Sequence, residues 1–195
     1  MRFFREHSKL ISRLFVNQIG MTVFGLVLTL AVMRAADNNT ALTVGVSVFS
    51  ILFYLFLIYN VMWEKGARDV VRIESGKEEK KPFFALKVSA AASIPNFVLA
   101  LLLFLFYLLG TAAGLPIGQT LYTVMHIILG LFEAMYVGLF GAILGLVETD
   151  GTRYLLACIL YLLSSLPMIL VSVGAYALGM HNIYLFGKKP KEGAK

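Results

Sequence analysis

The chain has 195 residues, of which 59% are hydrophobic and 14% charged, against roughly 25% charged in an ordinary soluble domain. So few polar residues cannot cover a water-facing surface, which excludes a soluble globular fold and points to an all-α, polytopic integral membrane protein. The formal charge of +6 comes from 17 Lys and Arg against 11 Asp and Glu. Its basic residues sit outside the apolar runs, so anionic lipid headgroups are the expected partner; nothing in the pattern suits nucleic acid.

Residues 1–13 form the first element. Phe3, Phe4, His7, Leu10, Ile11 and Leu14 share one helical face, with Arg2, Arg5, Lys9 and Arg13 around the rest. This describes an amphipathic interfacial arm on the membrane surface or a basic terminus that sets orientation, and both readings place the N-terminus in the cytoplasm.

A helix needs about 20 mostly apolar residues to cross about 30 Å of hydrocarbon. Five stretches qualify, 14–33, 41–62, 88–110, 121–147 and 154–180, giving a helical membrane bundle over 14–180. The first is too long for a signal-peptide core and is read as retained.

The hydrophilic segment 64–87 carries seven basic residues and follows Trp63, an expected interfacial aromatic. Glu64 with Arg68 and Lys65 with Asp69 are opposite charges four apart, so the second helix is expected to run beyond the membrane until Ser75 and Gly76. Pro82 suits the first turn of the next helix. The segment reads first as a solvated cytoplasmic connector and second as a docking surface for a soluble partner.

Five full crossings from a cytoplasmic N-terminus put twelve basic residues inside and five outside. Four of those five lie in the basic tail 181–195, at Lys188, Lys189, Lys191 and Lys195, against the positive-inside rule. If 121–147 instead dips in and leaves on the outer side, fifteen fall inside and only Arg34 and Arg153 outside. Length favours the first arrangement, because 27 residues make about 40 Å of straight helix, enough for one tilted crossing. Five crossings are therefore the leading expectation, in a plasma (inner) membrane.

Stretch 121–147 carries the ionisable groups, with His126 and Glu133 set among 14 Leu, Ile, Val and Phe. Seven residues are two helical turns, so both side chains are expected to point almost the same way. An acid at that depth belongs against a cavity or another helix. One reading is an intramembrane proton or cation site made by Glu133 with His126. The other, slightly preferred, is a protonated Glu hydrogen-bonded to a neighbouring helix as a packing contact. A metal centre would want three or four ligands, which the pattern does not supply, and no metal or cofactor is expected.

On the same stretch Ala134, Gly138, Gly141 and Gly145 make a small-residue strip suited to close helix packing, within this chain or in a homo-oligomer. The third and fifth stretches share Ser93-Ile94-Pro95 and Ser165-Leu166-Pro167. Each proline removes a donor and clashes with the carbonyl four residues back, so a kink is expected at both Pro95 and Pro167. Asn96 reads as a group that satisfies the loosened backbone, and Gln18 as a residue near a helix start. There is no phosphate-binding loop, no nucleophile elbow and no His-Glu-x-x-His, so catalysis has no support.

The function expected from these features is that of a non-catalytic accessory or scaffold subunit of a membrane assembly, beside another membrane subunit or copies of itself. The competing expectation is a solute or proton-coupled transporter, or a substrate-binding membrane subunit, working through Glu133 and His126 near the two kinks.

Overall fold

In the computed structural model, residues 2–35, 39–77, 79 and 81–183 are described. The tail lysines Lys188, Lys189, Lys191 and Lys195 lie outside the described residues. The described chain is helical, with no strands, in the order α1 (Arg2–Ala35), α2 (Thr40–Glu74), α3 (Phe84–Ala92), α4 (Ile94–Thr111), α5 (Pro116–Phe132), a 3-10 turn (Ala134–Tyr136), α6 (Val137–Gly145), α7 (Asp150–Leu163) and α8 (Ser165–Met180). Four helical rods are long and apolar enough to cross a membrane: residues 3–32 of α1, all of α2, α4, and α7 with α8. The α5–α6 pair is a fifth candidate only if its two bent arms count as one span.

Residues 2–13 are continuous with the apolar stretch that follows them. α1 runs unbroken for 34 residues, roughly 50 Å at 1.5 Å per residue. Its apolar face packs in part on the bundle: Leu14 is fully buried, while Phe3, Leu10 and Ile11 are partly buried against the core. The His7 ring stands 5.0 Å from the Phe84 ring, edge-on. Phe4 on the same face stays 49% exposed, so protein covers this face only in part.

α2 begins where Asn39 caps it, accepting from the Ala41 and Leu42 amides at 3.0 and 3.4 Å. It ends at Ser75 and Gly76, as expected; Gly76 takes φ +68°, the left-handed conformation that glycine adopts without strain. Pro82 is not in the next helix. α3 starts at Phe84, and Phe83 caps it with φ +56°, uncommon for a bulky side chain. The two proline motifs do interrupt helices, at Ser93 between α3 and α4 and at Ser164 between α7 and α8.

Contacts define two ends of the bundle. At the near end Arg13 pairs with Glu64 at 3.6 Å, Phe84 meets Tyr176 at 5.3 Å, and the Trp63 indole donates to the Ile183 carbonyl at 2.7 Å. The start of α1 and the ends of α2 and α8 therefore share one end. α2 and α8 run alongside each other and cross at Gly66 and Gly179. A Cβ on Gly179 would collide with the Trp63 carbonyl oxygen, and one on Gly66 with that of Tyr176, so only glycine permits this approach. At the far end a tight turn sets Gly118 on the Gly110 backbone and starts α5 back along α4.

Stretch 121–147 is not one tilted helix. It breaks at Glu133, and α6 leaves α5 at 88°. α6 then heads back toward the far end: Phe140 meets Tyr161 at 5.2 Å, Leu144 shares a groove with Thr123 and Tyr154, and Arg153 holds the Val147 carbonyl at 2.7 Å. Both open ends of this element, Pro116 and Gly145, thus lie on the far side. The long straight crossing fails because the bundle captures the middle of the stretch: Ala134, Met135 and Tyr136 are at most 4% exposed.

Candidate functional site

The Glu133 break has a tertiary cause. Its backbone sits at φ −115°, ψ 38°, outside helical geometry. The Thr22 hydroxyl of α1 donates to the freed Phe132 carbonyl at 2.6 Å. Gly25, one turn further along α1, leaves room for the Met135 backbone, whose Cα would lie 2.8 Å from a Cβ at position 25. A polar and small face on α1 thus accepts the bend, satisfying a carbonyl the helix has given up.

The bend aims the Glu133 side chain into the bundle, where it ends a hydrogen-bond chain across three elements. The Gln18 amide of α1 donates to Asn96 Oδ1 of α4 at 2.8 Å, and Asn96 Nδ2 donates to Glu133 Oε1 at 2.8 Å. Glu133 and Gln18 are 1% exposed and Asn96 6%, so this is an interior strut. Among the described residues Glu133 Oε2 and Gln18 Oε1 have no hydrogen-bond partner, and no ion pair involves Glu133. Around the carboxyl stand Tyr54, Tyr136, Tyr161 and Ser164. Tyr136 donates to the Ser164 carbonyl at 3.0 Å, and the Ser164 hydroxyl to the Tyr161 carbonyl at 2.7 Å, tying the α7–α8 interruption to the same centre.

His126 and Glu133 have different immediate surroundings. The imidazole stacks on Tyr122 at 5.9 Å and meets the Tyr161 ring edge-on at 5.6 Å. It lines two surface grooves, of about 270 and 340 Å³, and Glu133 lines neither. Tyr161 neighbours both groups, and no hydrogen bond joins them. Among the described residues no three His, Cys, Asp or Glu side chains gather as metal ligands.

The small-residue strip lies wholly beyond the break and is only half occupied. Ala134 is buried in the turn, and Gly138 lies on α2, where a Cβ would strike the Thr43 carbonyl oxygen and the Gly138 amide donates to Ser47 Oγ at 2.9 Å. Gly141 and Gly145 have nothing within 4 Å of an added Cβ. Pro95 lies in the first turn of α4, one residue before Asn96, so the α3–α4 interruption positions the residue that holds Glu133. Pro167 lies in the first turn of α8, three residues after Ser164.

Sequence reasoning missed the roles of Gln18 and Asn96. The available signal was the spacing of Gln18, Thr22, Gly25 and Thr29, which puts all the polar residues of that run and one of its two glycines on one helical face. In an apolar helix such a face belongs against protein. A second polar knot was read only in part: Asp69, 5% exposed, is paired with Lys65 as expected, but it also accepts from the Tyr176 hydroxyl at 3.1 Å, joining α2 to α8.

Compared with known proteins, the chain matches no family model, no curated protein and no solved structure, so the geometry alone carries the functional reading.

Proposed function

We propose that this chain is an integral membrane protein that acts by association, as a non-catalytic accessory or scaffold subunit of a membrane assembly. The observation that carries this reading is the sealing of Glu133. Glu133, 1% exposed, is spent on holding α1, α4 and α5 together through Asn96 and Gln18. Val16, Val27, Leu52, Leu101, Ile117, Ile127 and Leu170 are each more than half exposed, an apolar belt suited to lipid or to apolar faces of other subunits. Gly141 and Gly145 offer an unoccupied small-residue face on α6 for a helix from outside this chain.

In this reading the chain crosses four times, with α5 and α6 as a re-entrant pair. Both ends then lie in the cytoplasm with fifteen of the seventeen basic residues, leaving Arg34 and Arg153 outside. Four crossings replace five as the proposed topology because they agree with both the doubling back at Glu133 and the charge distribution.

One observation favours the transporter alternative: Glu133 Oε2 is buried without a partner, as a group waiting for a proton or cation would be. Proteoliposomes with an imposed pH gradient separate the readings. The association reading expects no protein-dependent proton or cation flux in either wild type or Glu133→Gln. Flux present in wild type and lost in a folded Glu133→Gln variant would overturn it.

A further inference from the structure

We propose that the far-end cavity between α4, α5 and α7 binds a small ammonium group. This does not rest on the association reading. The cavity holds about 240 Å³, below the roughly 300–1,000 Å³ of pockets for drug-sized ligands, so its occupant is a compact group of a few heavy atoms.

The lining chemistry selects the charge. Tyr107, Tyr122 and Tyr154 line the cavity with Asp150, Gln119 and Thr111, and no Lys, Arg or His is among its walls. Tyr122 stands between the other two rings, 6.4 Å from Tyr107 and 5.0 Å from Tyr154, inclined 61° to each. One face of Tyr122 is stacked on His126, and an aromatic face left open to the cavity attracts a cation through its quadrupole. Asp150 adds the one formal charge. Its nearest cation, Arg153, is 3.7 Å from Oδ1 and gives its other terminal nitrogen to the Val147 carbonyl, a long pairing that leaves the carboxylate able to face a ligand. Gln119 and Thr111 supply acceptors for an ammonium that still carries N–H groups.

The box is built before a ligand arrives. Tyr122 is 7% exposed, its hydroxyl donates to the Tyr154 carbonyl at 3.4 Å, and the Gly110–Gly118 contact fixes α4 against α5 beneath it. Free amines in the aqueous phase and the amine headgroup of a zwitterionic lipid both present this chemistry at the edge of the apolar belt.

The probe is tetramethylammonium chloride, titrated into the full chain in uncharged detergent and followed by saturation-transfer NMR at constant ionic strength, with tert-butanol as a neutral analogue of similar size. We expect tetramethylammonium to bind and tert-butanol not to. Asp150→Asn is expected to weaken binding tenfold or more, Tyr154→Ala to abolish it and Tyr154→Phe to keep it within twofold. Tyr154 is 42% exposed, so its variants are expected to fold, with melting curves as the check. Equal binding of both probes, or binding indifferent to Asp150→Asn and Tyr154→Ala, would overturn the proposal. In nanodiscs, loss of the probe signal in phosphatidylcholine but not phosphatidylglycerol assigns the site to a lipid headgroup. Equal binding in both assigns it to a free amine, and no binding in either overturns it.

Discussion

The near end and the far half of this bundle solve the same problem by different means. At the near end, α2 and α8 touch backbone to backbone at Gly66 and Gly179, and most of the charge there is exposed, with Asp69 buried between Lys65 and Tyr176. In the far half, α5 and α6 are held by buried polar side chains, with Glu133, Asn96 and Gln18 linked in series. The contrast teaches that in a chain so apolar, close approach needs only absent side chains, whereas a sharp bend needs polar partners for the backbone it exposes.

The largest effect is expected at the glycine crossing. Gly179→Val drives a side chain into the Trp63 carbonyl and should cost about 3 kcal/mol, read as a lowered unfolding midpoint in micelles. The same change at Gly141, where space is open, should stay within about 0.5 kcal/mol for the isolated subunit. Equal losses at the two positions would erase the distinction between occupied and unoccupied glycine faces.

Next comes the strut. Glu133→Leu leaves the Asn96 amide buried without its acceptor and should cost about 2 kcal/mol. Glu133→Gln keeps an acceptor there and should cost less than half as much. A double-mutant cycle between Gln18→Leu and Asn96→Leu should give a coupling of about 0.6–1.7 kcal/mol, the range for hydrogen bonds between membrane helices. A coupling near zero would mean that the chain of amides is incidental to the bend.

The smallest effect is expected at the near-end polar knot. Tyr176→Phe removes the hydroxyl from Asp69 while Lys65 still holds the carboxylate. It should shift stability by about 1 kcal/mol or less, without the larger penalty of the Glu133 change.

The near end was readable in the sequence because its signals are local. Ser75 and Gly76 end α2, Lys65 pairs four residues on with Asp69, and Ser-x-Pro motifs accompany both helix interruptions. The bend at Glu133 carries no such mark. Residues 130–137 contain no proline, and the glycine there, Gly130, lies inside α5. The break is imposed by Thr22 and Gly25, more than a hundred positions away, so hydrophobic periodicity alone read a straight helix. The same distance hid the strut, whose three side chains meet only when α1, α4 and α5 are brought together. Gln18 escaped notice because one polar residue near a helix start has a local explanation, whereas its partner Asn96 becomes visible only when α1 and α4 are brought together. The charge pattern, by contrast, did carry long-range information, since the fifteen-to-two distribution of basic residues already favoured a chain that turns back.

The doubling back of α5 and α6 is tested most directly by single cysteines in a Cys158→Ala background, probed with a membrane-impermeant maleimide on intact cells and on inverted vesicles. Leu146→Cys reports the end of α6, where Leu146 is 84% exposed; Gly114→Cys marks the far end and Gly76→Cys the near end. The account predicts that positions 146 and 114 are labelled from the same side and 76 from the opposite one. Labelling of position 146 from the side of position 76 would mean that the chain passes straight through at Glu133, contradicting the account.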